Sequence, residues 1–136
     1  MDWEECLAKR IARPAQSDLE LIKSLRKTSE NKLLSADLLE LNETTAVSKL
    51  SLYYDSAREL LEALAIDKGY KIYNHECYAG FLKEAVGNKN LAERFDRLRI
   101  LRNSVNYYGQ NISLIDTKES ISELKILIKE LKSLLR

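Results

Sequence analysis

Residues 46–69, AVSKLSLYYDSARELLEALAIDKG, decide the fold class of this chain. Apolar side chains recur there every three or four residues, which is the period of a helix with one wide apolar side. This band consists of Ala46, Leu50, Tyr53, Tyr54, Ala57, Leu60, Leu61 and Leu64. The helix is predicted to begin near Asn42. It is expected to end at Lys68, because a cation followed by Gly69 is a typical helix C-terminus.

The same period predicts helices on both sides of this stretch. A short helix is predicted for residues 2–12, because Pro14 must stop it. A second helix follows a cap at Ser17 or Asp18. Its middle, residues 26–32, contains poor helix formers, so either a break or a solvated face fits the pattern there. Further helices are predicted for residues 74–86, 91–108 and 117–135.

These helices predict an all-α fold, an up-and-down helical bundle of four to five main helices plus a short N-terminal helix. We expect one domain over residues 1–136, in which residues 1–16 hold the N-terminal helix and its connection and residues 17–136 form the bundle. The composition agrees, because 4 Gly and 1 Pro are few for a β-rich fold and 45% apolar residues suffice for a core.

The net charge of +1, from 22 Lys and Arg residues and 21 Asp and Glu residues, does not favour any class of binding partner. Nucleic-acid binding would therefore need a local basic patch. Cys6 and Cys77 are far apart in the sequence and lack companion ligands, so they are expected to be reduced thiols. Together with His75 they are too few for a zinc site. We expect neither a metal nor another cofactor.

The N-terminal sequence MDWEECLAKR is acidic and amphipathic, and it lacks the apolar run of a signal peptide. No window of the sequence approaches the roughly 20 apolar residues of a membrane span. These features predict a cytoplasmic protein that does not contact a membrane.

Residues 94–109, RFDRLRILRNSVNYYG, carry the most information about function. With about 100° of rotation per residue, Arg102 falls on the apolar stripe of its helix. That stripe is formed by Leu91, Phe95, Leu98, Leu101 and Val105. A charge there is costly without a partner or water, so Arg102 is predicted either to pair with an acid on a neighbouring helix or to line a groove between helices. Acidic residues interrupt the nearby basic residues, so these are a weak indication of RNA binding. The basic residues are Lys89, Arg94, Arg97 and Arg99.

The dipeptide Arg102-Asn103, near the end of the penultimate helix, resembles the Arg-Asn start of the motif of HEPN (higher eukaryotes and prokaryotes nucleotide-binding) domains. Residues 46–71 are similar to the second core helix of that family, in which small residues and paired tyrosines precede an aliphatic stretch and a Lys-Gly stop. Asn74-His75 also resembles a family pattern at the start of the next helix. The resemblance covers residues 17–136 and implies a HEPN-like bundle.

The sequence departs from the family motif at the motif histidine. That histidine follows the arginine after four to six residues, and the corresponding positions here hold Tyr107, Tyr108 and Gly109. In the resembled ribonucleases the histidine is the acid or base when RNA is cleaved through its own 2′-hydroxyl. Tyrosine, with an ordinary pKa near 10, is a poor base at neutral pH. His75 is the only histidine; we expect a surface or helix-entry position for it, and nothing in the sequence brings it to Arg102.

The resemblance therefore implies a nucleotide- or RNA-binding module without catalytic activity. Its ligand-binding residues would be Arg102, Asn103, Asn106, Tyr107 and Tyr108. Such modules form homodimers and often act beside a small nucleotidyltransferase, in arrangements like toxin and antitoxin. One alternative is a metal-independent ribonuclease in which Arg102 acts with Tyr107 or Tyr108. The other is a purely structural adaptor bundle, in which Arg102 is an ion-pair staple.

Overall fold

The computed structural model describes residues 1–107, 109 and 111–135, the side chain of Tyr107 excepted. The prediction of an all-α bundle is confirmed, because helices dominate the described residues and the sheet among them has two short strands. The α-helices are α1 (Trp3–Ala8), α2 (Leu19–Leu38), α3 (Ala46–Asp67), α4 (Cys77–Gly80), α5 (Lys89–Tyr107) and α6 (Leu114–Leu134). One π-helical turn, Phe81–Ala85, continues α4, and the strands are β1 (Ala12–Pro14) and β2 (Tyr70–Ile72).

Helix α3 is the centre of the core, as its wide apolar band predicts. Tyr53, Tyr54 and Leu61 are fully buried between α3 and its neighbours. Helix α3 packs most extensively against α2 and α6 and also contacts α5, so it has neighbours on several sides. This central position explains why aromatic and small residues alternate along the helix: large side chains fill the core and small ones admit a neighbouring helix closely.

Helix α2 is continuous through residues 26–32, so the possible break in this stretch does not occur. Ser29, a poor helix former, lies where α2 crosses α3 and is fully buried. Its Oγ donates to the carbonyl oxygen of Ser56 at 2.8 Å, and the Oγ of Ser56 donates back to the carbonyl oxygen of Ser29 at 2.9 Å. The two serines satisfy each other at a close helix crossing, which outweighs a few tenths of a kcal/mol of helix propensity.

The N-terminal segment differs from its prediction, because α1 ends at Ala8 rather than near residue 12. The chain leaves the helix through Arg10, whose φ of 58° is left-handed. The N–H of Ile11 then donates to the carbonyl of Cys6 and the N–H of Arg10 to that of Leu7, the pairing of a Schellman C-cap. Residues 12–14 next form strand β1, which pairs antiparallel with β2 in the register Ala12↔Ile72.

Asp18, one of the two predicted choices, caps α2 by accepting from the N–H of Leu21. Two other helices start earlier than predicted because of capping residues that the periodicity did not identify. Helix α5 begins at Lys89 rather than residue 91, because Oδ1 of Asn88 accepts from the N–H of Leu91 at 3.0 Å. Helix α6 begins at Leu114, one turn early, because Ser113 supplies its cap.

Cys6 and Cys77 form a disulfide that joins α1 to α4, with their Cα atoms 6.1 Å apart. The prediction of two reduced thiols was therefore wrong. The two cysteines are 71 positions apart, and no sequence signal pairs them. They meet because Trp3 anchors α1 against the ring of Tyr70 at 5.1 Å and the ring of Phe81 at 5.6 Å. The N-terminal segment thereby joins the core of the bundle.

Replacing Gly80 by alanine is expected to lower the free energy of unfolding by about 1–3 kcal/mol, as overpacking does. A Cβ at this position would lie 2.8 Å from the backbone nitrogen of Trp3, and α1 cannot move away while the disulfide holds it. Urea unfolding of the purified protein measures the change. Ala79→Ser, a neighbouring half-buried position, is the matched control, and an equal loss in both variants would contradict the close approach of α1.

Among the described residues, no helix combines the length and the apolar character needed to cross a membrane.

Candidate anion-binding site

Arg102 lies on the inner side of α5, one turn beyond the buried Leu98. Its side chain is 13% exposed, and its Nη2 is 3.5 Å from Oδ1 of Asp55 on α3. The ion pair with an acid on a neighbouring helix is therefore observed, one of the two predicted placements. The guanidinium carbon also lies 5.0 Å from the ring centroid of Tyr54, within the range of a cation–π contact.

Three further side chains converge on Tyr54 and Arg102. Arg58 lies on α3 one turn after Tyr54, Arg99 lies on α5 one turn before Arg102, and His75 lies in the turn between β2 and α4. All of them are half-buried. The charges of the three arginines act on both His75 and Tyr54, which places the groups in one electrostatic environment. We call these four side chains, Arg58, His75, Arg99 and Arg102, the basic cluster.

His75 is held in the basic cluster by the turn that precedes α4. Its carbonyl oxygen accepts from the N–H of Tyr78, and Asn74 accepts from the N–H groups of Glu76 and Cys77. Its Nδ1 lies 3.3 Å from the hydroxyl of Tyr54. The structure confirms the helix-entry position of His75, whereas its electrostatic contact with Arg102 was not predicted. The cause is tertiary: α5 folds back beside α3 and brings Arg99 and Arg102 to the turn.

The electrostatics of the cluster keep His75 neutral at physiological pH. Burial, and after it the positive charges of Arg58, Arg102 and Arg99, together lower the pKa of His75 to about 4. Burial also raises the pKa of the Tyr54 hydroxyl to about 12, against the opposing effect of the arginines. The Tyr54 hydroxyl and the His75 imidazole are thus both uncharged at pH 7.

Each arginine of the cluster is oriented by a carboxylate. Arg58 Nη1 lies 3.2 Å from Glu62, and Arg99 Nε lies 2.9 Å from Asp96. Arg102 has Asp55, at the longer distance given above. A guanidinium has five N–H donors in a fixed plane, so pairing with one carboxylate is compatible with binding a phosphate oxygen as well. The three carboxylates can therefore orient the three guanidinium groups while these groups still bind an anion.

The residues predicted as ligand-binding do not all join the cluster. Asn103 is half-buried on α5, next to Arg102. Asn106 is exposed, and its side-chain amide donates to Ser51 Oγ on α3 at 2.9 Å. The side chain of Tyr107 and all of Tyr108 lie outside the described residues, so the structure is silent on the predicted tyrosine pair.

Three members of the basic cluster, Arg58, His75 and Arg99, were not among the predicted ligand-binding residues. Arg58 follows Tyr54 by four positions, and Arg99 precedes Arg102 by three, so each pair shares one side of its helix. The sequence alone therefore predicts that the two residues of each pair are neighbours on one helix. The contact of α3 with α5, and the place of His75 against both, required the tertiary structure.

Among the described residues, no three His, Cys, Asp or Glu side chains lie close enough to hold a metal ion. No family model, no curated protein and no solved structure matches this chain.

Lowering the pH is expected to destabilise the wild-type protein more than the His75→Gln variant. The pKa of His75 is depressed in the folded state from its ordinary value of 6.5 to about 4. The unfolded chain therefore takes up a proton between these values that the folded protein refuses, so stability is full above pH 6.5 and is lost as the pH falls toward 4. After allowance for solvent screening we expect an extra loss of about 1–2 kcal/mol.

Urea unfolding of both proteins at about pH 7 and about pH 4.5 measures this difference. Carboxylates titrate in the same range, but they are common to both proteins and cancel in the comparison. Equal losses in wild type and variant would show that His75 is solvated in the folded protein.

Proposed function

We propose that this chain is a non-catalytic, HEPN-like module that binds the phosphate of an RNA strand or a nucleotide at the basic cluster. The observation that supports it is the convergence of three half-buried arginines and one histidine on Tyr54. Each guanidinium group pairs with a carboxylate. Because a guanidinium has five N–H donors, such a pair is compatible with a further hydrogen bond to a phosphate oxygen, and three of these groups share one electrostatic environment here.

Partial burial strengthens this site as an anion receptor. An ionic interaction at about 4 Å gains roughly four times more at an effective dielectric constant near 20 than in bulk water. The Arg99 and Arg102 side chains are 16% and 13% exposed, so they lie in the more favourable range. Guanidinium groups also match phosphate oxygens in pairs, whereas lysines act as single point charges.

Equilibrium binding tests the proposal directly. We would measure the fluorescence anisotropy of a labelled uridine oligonucleotide in EDTA at several salt concentrations. The logarithm of the association constant is expected to fall linearly with the logarithm of the salt concentration. Contacts from three arginines to single-stranded phosphates predict a slope of about −2. Uridine monophosphate as a competitor distinguishes a nucleotide ligand from an RNA strand. Absence of binding at low salt, or affinity independent of salt, would refute the proposal.

The adaptor alternative has an observation in its favour, the ion pair between Arg102 and Asp55. A double-mutant cycle with Arg102→Ala and Asp55→Ala separates the two functions. If the ion pair between Arg102 and Asp55 is purely structural, the cycle would give a coupling energy of about 1–2 kcal/mol in the free energy of unfolding, and oligonucleotide affinity would stay unchanged. As a binding site, Arg102→Ala would lower affinity beyond any effect on stability.

The ribonuclease alternative would use His75, which shares the electrostatic environment of Arg102, but a pKa of about 4 makes its imidazole a weak base at neutral pH. Tyr107 and Tyr108 remain its sequence-based candidates. In this reaction the imidazole removes the proton of a 2′-hydroxyl, and the 2′-oxygen attacks the adjacent phosphorus to form a 2′,3′-cyclic phosphate. The bond from phosphorus to the 5′-oxygen breaks, and that oxygen leaves as an alcohol with the proton that the imidazolium returns. Cleavage of cellular RNA in EDTA that is lost in both Arg102→Ala and His75→Gln would establish it over binding alone.

The proposal includes a homodimer and a small nucleotidyltransferase partner, as the HEPN resemblance implies. An open cleft of about 530 Å³ beyond the C-terminal half of α5 supports a contact surface there. Val47 and Leu114 line it and are 38% and 39% exposed, and Ile115 beside it is 73% exposed. Light scattering after size-exclusion chromatography measures the assembly. A monomer at micromolar concentration would remove the dimer from the proposal, and a Val47→Glu variant locates the surface if a dimer forms.

A further inference from the structure

We propose that His75 couples ligand binding at the basic cluster to proton uptake: it is neutral in the free protein and becomes an imidazolium when a phosphate-bearing ligand binds. This inference rests on the proposed function and specifies its dependence on pH. It makes His75 a residue that determines which ligands bind, since a proton gained at the site favours ligands with more negative charge.

The position of His75 carries the argument. The imidazole is half-buried, with its ring 6.2 Å from that of Tyr54 and 5.9 Å from that of Tyr78. Its backbone belongs to a turn held by hydrogen bonds from the N–H groups of Glu76, Cys77 and Tyr78, and the disulfide of Cys77 ties this turn to α1. The turn therefore holds the backbone of His75 in place beside α3 and α5.

The charged and titratable groups around the imidazole come from three elements. Helix α3 presents Tyr54, Asp55, Arg58 and Glu62, α4 presents Tyr78, and α5 presents Arg99 and Arg102. The carboxylates among them pair with arginines, and Glu76, the sequence neighbour of His75, faces the terminal amino group of Met1 at 3.8 Å. The charges that act on His75 itself are the three guanidinium groups.

This arrangement disfavours a fourth positive charge only while the site holds no anion. Burial and the arginines together lower the pKa of His75 to about 4 in the free protein. A phosphate bound between the guanidinium groups adds negative charge at the same place and reverses the Coulomb effect that the arginines exert. Binding then raises the pKa of His75, and by linkage the affinity rises as the pH falls. We expect about tenfold tighter binding at about pH 5 than at about pH 7.5.

The test uses two anions that do not titrate in this range, sulfate and a uridine oligonucleotide. His75 is the single histidine, so its imidazole gives one set of resonances in an untagged protein. A pH titration by NMR follows them with and without saturating sulfate. In parallel, anisotropy measures oligonucleotide affinity at about pH 5 and about pH 7.5 for wild type and His75→Gln.

The expected result is a higher titration midpoint of His75 in sulfate, together with a pH dependence of affinity that His75→Gln reduces to threefold or less. Binding with an unchanged midpoint, and with equal pH dependence in both proteins, would overturn the inference and leave the proposed function standing. No binding of either anion at any pH would overturn both. The NMR arm needs no variant, so a fold defect in His75→Gln, seen by circular dichroism, does not remove the test.

Discussion

Reducing the Cys6–Cys77 disulfide is expected to lower the free energy of unfolding by about 4 kcal/mol, the largest effect on stability that we expect from a single chemical change. The cross-link closes a loop over a sequence separation of 71, so the unfolded chain gains much conformational freedom when it is cut. The native state also loses the tie between α1 and α4, while Trp3 and the β1–β2 pair keep the segment in the core.

Thermal unfolding with and without a dithiol reductant measures this loss. The Cys6→Ser and Cys77→Ser double variant is the matched control, because it should be as unstable as the reduced protein and indifferent to the reductant. Alkylation followed by mass spectrometry counts the thiols in each sample. A wild-type protein that is already alkylated before reduction, or whose unfolding midpoint ignores the reductant, would contradict the disulfide.

Replacing Arg102 by alanine is expected to weaken oligonucleotide binding by about 10- to 100-fold. A charge-assisted hydrogen bond to a bound anion contributes about 1.5–3 kcal/mol, and each 1.4 kcal/mol is a factor of ten in affinity. The Arg102 guanidinium lies over the Tyr54 ring and 3.5 Å from Asp55, and its side chain is 13% exposed.

The chain offers a matched control on the same helix. Arg97 is 61% exposed and pairs with Glu123 on α6 at 2.7 Å, away from the cluster. Arg97→Ala removes the same charge from α5 and should change affinity by about twofold or less, since an exposed ion pair is screened by solvent. Equal losses in the two variants would mean that the oligonucleotide contacts the helix surface non-specifically.

The fold was largely predictable because its signals are local. The apolar band of α3, the glycine after Lys68 and the cap at Asp18 each depend on residues within one or two turns. The errors arose where tertiary contacts override local preference. Ser29 is a poor helix former kept in α2 by its contact with Ser56, and residues 12–14 form a strand because β2 lies beside them.

The candidate site was only partly predictable for the same reason. Arg102 stood out because a charge on an apolar stripe is a local anomaly, and its need for an acidic partner followed from desolvation alone. His75 carries no such anomaly, because a histidine at a helix start is ordinary. Its place beside Arg102 depends on how α5 packs against α3, and the disulfide likewise depends on how α1 packs against α4.

The most direct test of the account is an NMR titration of the wild-type protein with uridine monophosphate, observing arginine side-chain N–H groups and the imidazole. Binding at the basic cluster predicts that the largest shift changes occur at Arg58, His75, Arg99 and Arg102, and that Arg97, on the side facing α6, is nearly unaffected. Changes confined to Arg97 and its neighbours, or no change at all at low salt, would contradict an anion site at the basic cluster.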